Sequence, residues 1–279
     1  MPVKPAVWSS IFAALMSLSP LTAYAVAEGS TEPERPLVMG LLPSISPVSL
    51  FKRFSPLVDY INSSLKSNIV LETAPNFGEF QKRTGARMYD ILLTAPHFVI
   101  PALDSGSYEL IATPSNKLTA MVVVSKKSKI KSIADLAGKV VATPEAEALV
   151  TKAGVKLLEN QGLTGGQQPV YMALPTHNAA YQSVLGKEAD AAIISVNVMN
   201  KAIKEGAKLR SIGESEQLPG VGILVAADLP QEFKTNLQNF LLAIDKKPDG
   251  RKVLGLVDHP GYSKVTAAEY QPMRVYLTE

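Results

Sequence analysis

The chain has 279 residues, no cysteine, three histidines and a net charge of +3. Apolar residues make up 46% and charged residues 19%, which excludes a disordered chain. The lack of cysteine excludes disulfides, thiolate metal sites, a cysteine nucleophile and a lipidated N-terminal cysteine. No run of Lys and Arg forms a stripe for nucleic acid, and the histidine spacings match no zinc motif. The length allows two domains of about 100–150 residues.

The first elements form a targeting signal. Lys4 gives a basic start, Ile11 to Leu18 is a short apolar run, and Ala23-Tyr24-Ala25 and Ala25-Val26-Ala27 both read as small-x-small cleavage sites. The run is shorter than the ~20 residues a membrane span needs, and Pro20 follows it. Residues 1–25 are therefore expected to be a cleaved signal peptide and 26–35 a flexible leader. A secreted chain with no cysteine for a lipid anchor suits a Gram-negative periplasm.

Beyond it, short apolar runs predict strands at Leu37–Leu42, Ile69–Thr73, Ile91–Thr94, Leu110–Thr113, Met121–Ser125, Val140–Thr143, Val170–Ala173, Ala191–Ser195 and Val221–Ala226. Helical spacing links Leu50, Phe54, Leu57, Val58, Ile61 and Leu65, with Pro56 predicting a kink or two short helices capped by Ser55. Leu149, Val150, Ala153, Leu157 and Leu158 predict another helix. Phe233, Leu237, Phe240, Leu241 and Ile244 predict a third, opened by Pro230. Ser132 with Asp135 and Thr266 with Glu269 read as capping boxes. Alternation of strands and helices predicts an α/β fold with mostly parallel sheets flanked by helices.

Two places break the rhythm. Tyr108–Thr113 runs into Leu118–Ser125 without a helix, and Leu209–Gly213 runs into Val221–Ala226 likewise. Two extended crossings predict two lobes, residues 36–116 with 217–279 and residues 117–216, and a binding cleft between them.

Several stretches, in this order, resemble the phosphate/phosphite/phosphonate-type solute-binding proteins of ABC importers. They are Met39-Gly40-Leu41-Leu42-Pro43 with Ser44-Ile45-Ser46-Pro47, Pro56-Leu57-Val58-Asp59-Tyr60-Ile61, and Tyr89-Asp90 through Pro96-His97. Ile133 through Val140, His177-Asn178 through Asp190, and Thr266 with Tyr270 complete the set. The resemblance implies a two-lobe type II periplasmic-binding fold, a small polar ligand, hinge closure and an inner-membrane permease as partner. No cofactor, no metal site and no catalysis are expected, and the chain is expected to be a monomer outside the membrane.

Ligands in open α/β sheets sit beyond the carboxyl ends of strands. That rule selects Ser44 and Ser46, whose alternative role is a turn set by Pro43 and Pro47. It also selects Thr94 and His97, where Pro96 opens a helix capped by Thr94 or Ala95. Thr143 reads as an N-cap with Pro144 at the first helical position, which places Glu145 and Glu147 in the first turn. There the resemblance implies small hydroxyl residues instead. Either the two carboxylates only favour the helix dipole, or they redirect the site from dianions to zwitterionic or amine-bearing ligands. Thr176 reads as a cap before His177 and Asn178, and the resemblance turns His177 toward the cleft. Ser195 and Asn197 end the last strand of the middle lobe, Tyr171 and Tyr181 are the aromatic candidates, and His259 reads as structural.

The alternative to transport is a ligand-sensing partner of a membrane histidine kinase. An enzyme is not expected: no nucleophile elbow, zinc-protease motif, P-loop or dinucleotide fingerprint occurs. Glu145 and Glu147, two positions apart on one helix, would point about 200° apart and could not form a dyad.

Overall fold

Residues 1–3 and 35–277 are described in the computed structural model. All but the first three residues of the segment read as a signal peptide, and nearly all of the leader, lie outside them. The strands are β1 (Leu37–Leu41), β2 (Ile69–Thr73), β3 (Ile91–Thr94), β4 (Tyr108–Pro114), β5 (Ala120–Ser125), β6 (Val140–Thr143), β7 (Val170–Ala173), β8 (Ala191–Ser195), β9 (Leu209–Glu214), β10 (Gly222–Ala226) and β11 (Tyr262–Ser263). The helices are α1 (Pro47–Leu65), α2 (Phe77–Gly85), α3 (Pro96–Asp104), α4 (Leu149–Asn160), α5 (His177–Gly186), α6 (Val196–Lys204), α7 (Gln231–Ala243), α8 (Pro248–Val257) and α9 (Ala267–Tyr270).

The strands form two sheets, ordered β11-β4-β10-β3-β1-β2 and β7-β6-β8-β5-β9. Each has a parallel part, β2-β1-β3 and β7-β6-β8. The strands that carry the crossings, β4 with β10 and β5 with β9, pair antiparallel beside it. The chain passes from the first sheet to the second between β4 and β5 and returns between β9 and β10. The two crossings hydrogen-bond to each other where they meet: Leu118 N donates to Leu218 O at 3.0 Å and Leu218 N to Leu118 O at 2.8 Å.

Each parallel part is pinned by the same device. Asp90, just before β3, accepts from the amide of Val38 in β1 at 2.8 Å. Asp190, just before β8, accepts from the amide of Val140 in β6 at 3.0 Å. Each carboxylate thus satisfies a donor near the start of the neighbouring strand. Asp90 is further gripped by Arg35 at 2.6 and 2.7 Å and by Arg87 at 3.2 Å.

Some local expectations are corrected and others hold. Helix α1 is one helix with Pro56 inside it, capped by Ser46 rather than broken at Ser55. Burial of Leu50, Phe54, Leu57, Val58 and Ile61 along one face holds it together across the bond Pro56 cannot make. Helix α4 starts at Leu149 with Ala148 at its cap, so Thr143 caps nothing and Glu145 and Glu147 lie in the loop before it. Ala95 caps α3, with no side-chain bond. The capping boxes of Ser132 with Asp135 and Thr266 with Glu269 are both present.

One apolar cluster is continuous across the two lobes. It joins Leu42, Phe77 and Phe98 on the first sheet's side to Ala148, Leu149 and Leu158 on the second's. Among the described residues no helix is long and apolar enough to cross a membrane.

Candidate ligand cleft

A cavity of about 220 Å³ lies where the two sheets face each other across the crossings. The first lobe contributes Ile45, Ser49, Arg53 and Phe54 from α1 and the loop before it, and Asp258 and His259 after α8. The second contributes Asn178 and Tyr181 from α5 and Ser195, Asn197 and Lys201 from β8 and α6. Asn116, Lys117, Gly220 and Val221 of the crossings close the rear.

The wall's charges are unequally committed. Arg53 gives its Nε and Nη2 hydrogens to the Val257 carbonyl at 2.8 and 2.6 Å and lies 3.5 Å from Asp258. Lys201 and Glu205 form an exposed pair at 4.0 Å on α6. Lys117 forms no ion pair among the described residues. His259 is held beside Arg53. Its Nδ1 lies 3.0 Å from the Tyr262 hydroxyl, its ring meets Tyr262 edge-on, and Phe54 is 6.1 Å away. Burial, reinforced by the Arg53 charge, pushes its pKa down to about 3, so the ring is neutral at ordinary pH.

Of the residues selected from sequence, Asn178 and Ser195 line this cavity, as do Asn197 and Tyr181. Ser46 is occupied as the cap of α1, and Ser44 sits in the turn before it with its amide on Leu42 O. His177 is buried, and its Nδ1 accepts from the Ser195 amide at 3.3 Å, so it ties α5 to the end of β8. Burial holds its pKa at about 4. Thr94 and His97 are buried beside the cavity rather than in its wall. The Thr94 hydroxyl and His97 Nδ1 have no hydrogen-bond partner among the described residues.

The loop after β6 reaches across to the first lobe. The Glu145 carboxylate accepts from the Phe77 amide, the first residue of α2, at 3.2 Å. His97 Nε2 meets the Glu147 carbonyl at 2.9 Å. Glu145 does serve a helix N-terminus, but that of α2 in the other lobe. Thr143, Glu147 and Tyr171 line a second cavity, about 730 Å³, beside α4. Burial raises the Glu145 pKa, the Phe77 bond lowers it, Glu147 raises it, and the net shift is upward. Folding thus favours its neutral form, and this contribution is full below the carboxyl's ordinary value and lost as pH rises through the folded one. Glu145→Gln, which keeps an acceptor and removes the charge, should raise the melting temperature at pH 7 by at most about 1–2 °C, because solvent screens this partly exposed group and limits the effect to about half a kilocalorie. The gain should vanish below pH 4. An equal gain at both pH values in a melting series would sink this account.

Arg53, Lys117 and His259 escaped the strand-end rule. Arg53 lies in the second turn of α1 and His259 on a loop before β11, so neither directly follows a parallel strand in sequence. Lys117 lies in the gap between Thr113 and Leu118, which the sequence already marks as a crossing. Among the described residues no group of His, Asp or Glu is placed to hold a metal ion.

Two mixed sheets joined by two crossings, with a cavity between them, define a two-lobed solute-binding protein. The family described as the periplasmic substrate-binding protein of phosphonate ABC transporters matches residues 39–270, and the chain belongs to it. Similar solved structures agree in fold. A binding component of an ABC phosphonate transporter from Pseudomonas aeruginosa superposes with a TM-score of 0.77 at 16% identity, over 86% of this chain and 85% of that one. PhnD1 from Prochlorococcus marinus, in complex with methylphosphonate, gives 0.76 at 15% identity over 86% and 96%. The aliphatic sulphonate binding protein SsuA from Escherichia coli gives 0.61 at 18% identity over 86% and 89%. The protein is thus the substrate-binding component of an ABC importer, with a small-molecule ligand, a permease partner and a place in the periplasm. It is not an enzyme.

Proposed function

We propose that the protein captures a small oxyanion-bearing solute in the cavity between its lobes and carries it to the permease as a monomer, after cleavage of residues 1–25. Lobes 36–116 with 217–279 and 117–216 close on the solute as bodies about the two crossings. The observation that carries the ligand class is the cavity wall itself. Lys117 is a cation with no carboxylate partner among the described residues, and Asn116, Asn178 and Asn197 line the same cavity. Such a wall offers a negatively charged acceptor charge and hydrogen bonds at once. Glu145 and Glu147 lie outside that wall, which removes the reason to expect an anion to be repelled there. Glu205 and Asp258, which are in the wall, support a second reading in which the solute also bears an amine.

A melting panel of methylphosphonate, phosphite, phosphate, methanesulfonate, aminophosphonates, amino acids and polyamines tests this. A ligand at about 100 times its dissociation constant adds about 2.7 kcal/mol. That should raise the midpoint by about 5–10 °C. Lys117→Gln should shrink the rise produced by an anion. A rise with polyamines alone would refute the oxyanion reading, and one confined to aminophosphonates would favour the second.

A further inference from the structure

Tyr262 and His259 together determine what one corner of the cavity presents to a ligand. Tyr262 is buried, and the only partner of its hydroxyl among the described residues is Nδ1 of His259, at 3.0 Å. A buried hydroxyl hydrogen needs an acceptor. If Nδ1 carried the ring proton, it would donate to the Tyr262 oxygen and leave the hydroxyl hydrogen without one. The arrangement that satisfies both groups has Tyr262 donating to a bare Nδ1, and the proton of the neutral ring on Nε2. The Arg53 guanidinium on the same wall disfavours a second proton on the ring. Nε2 has no protein partner among the described residues and is not fully shielded, and the ring lines the cavity. Its N–H is therefore open to whatever the cavity holds.

We propose that His259 is a ligand-binding residue of this cavity, locked by Tyr262 as the Nε2–H tautomer so that it donates to an acceptor oxygen of the bound solute. The proposal rests on the reading of the cavity as the solute site and deepens it. His259 adds a neutral donor to the charge of Lys117, so its Nε2–H calls for an acceptor atom on the solute. Phe54, packed on the ring, and Tyr262, bonded to it, keep the donor aimed at low entropic cost.

The test uses the protein with ¹⁵N-labelled histidine, with methylphosphonate, inorganic phosphate and methanesulfonate as probes. Long-range ¹H–¹⁵N spectra should show His259 protonated at Nε2, and Tyr262→Phe should give mixed tautomers. The Nε2 resonance should move when the best-binding probe saturates the protein. His259→Phe keeps the ring's packing and removes the donor, and should weaken that probe about 10-fold or more, with Tyr262→Phe weakening it less. A wild-type spectrum with the proton on Nδ1 overturns the proposal. So does an Nε2 resonance that stays still at saturation, a reading that holds even if His259→Phe fails to fold. Probe affinity unchanged in a folded His259→Phe overturns the role of His259 while the oxyanion reading stands. Failure of all three probes to bind the wild type overturns the oxyanion reading and this proposal with it.

Discussion

Replacing Asp90 with alanine is expected to destabilise the protein by about 2–4 kcal/mol, a drop of about 5–15 °C in melting temperature. The side chain is 1% exposed and accepts four hydrogen bonds, from both terminal nitrogens of Arg35, from Arg87 and from the Val38 amide. Alanine would strand the Val38 donor near the start of β1, the middle strand of the parallel part, and leave Arg87 with one carboxylate, Asp228. The cost falls short of that for a fully buried pair, because Arg35 is 66% exposed and can turn to water. Burial pulls the Asp90 carboxyl upward, but Arg35, Val38 and Arg87 outweigh it and hold the pKa below its ordinary 3.8. A lowered folded pKa means stability that is present above the ordinary value and lost as pH falls through the folded one. Asp90→Asn should therefore differ from wild type most near neutrality and converge with it below about pH 3.8. Denaturant melts from pH 3 to pH 7 check this, and a constant difference across the range would reject the electrostatic account.

Gly220→Ala is the second large effect, and it bears on binding as well as stability. An added methyl would sit 2.7 Å from the Asn116 carbonyl, 3.0 Å from the Thr113 hydroxyl and 3.1 Å from the Pro114 carbonyl. Two of these are backbone atoms of the opposite crossing, so the crossings themselves must separate. Tyr270 resists that movement, since its buried hydroxyl donates to the Gly220 carbonyl at 3.0 Å. Overpacking of this kind costs about 1–3 kcal/mol. Because Asn116, Lys117, Gly220 and Val221 all face the cavity, affinity for a solute should fall about 10-fold or more, equivalent to at least about 1.4 kcal/mol. Gly255→Ala, in α8 with nothing near the added carbon, is the matched control and should be neutral or mildly stabilising. Isothermal titration of both variants decides the matter, and equal affinities would show that the crossings do not shape the site.

Much of this fold was legible in the sequence. The bounds of β2, β3, β6, β7 and β8 agree residue for residue with their apolar runs, because turn residues close each run on both sides. The crossings were visible as paired extended runs with no helical period between them. What failed was local chemistry overruled from a distance. Thr143-Pro144 has the form of a helix start, yet Glu145 to Ala148 close a separate turn, with the Glu145 carboxylate on the Phe77 amide of the other lobe, and α4 begins only at Leu149. Strand β11 is two residues long and exists only through pairing with Thr113 and Pro114, so no periodicity announces it. In the cavity, Asn178 and Ser195 follow strand ends and were found. Arg53, Lys117 and His259 come from a helix, a crossing and a loop that converge only in three dimensions.

The apolar cluster shared by the two lobes gives their separation a temperature dependence. Parting Phe77 and Phe98 from Ala148 and Leu149 wets hydrocarbon surface, which costs about 25 cal/mol per Å². That cost is mainly entropic near room temperature and weakens on cooling. Chilling therefore loosens the grip between the lobes, while the hydrogen bonds from Phe77 to Glu145 and between His97 and Glu147 do not share this hydrophobic weakening. In a cold periplasm the lobes part more readily, and polar contacts carry a larger share of what holds them.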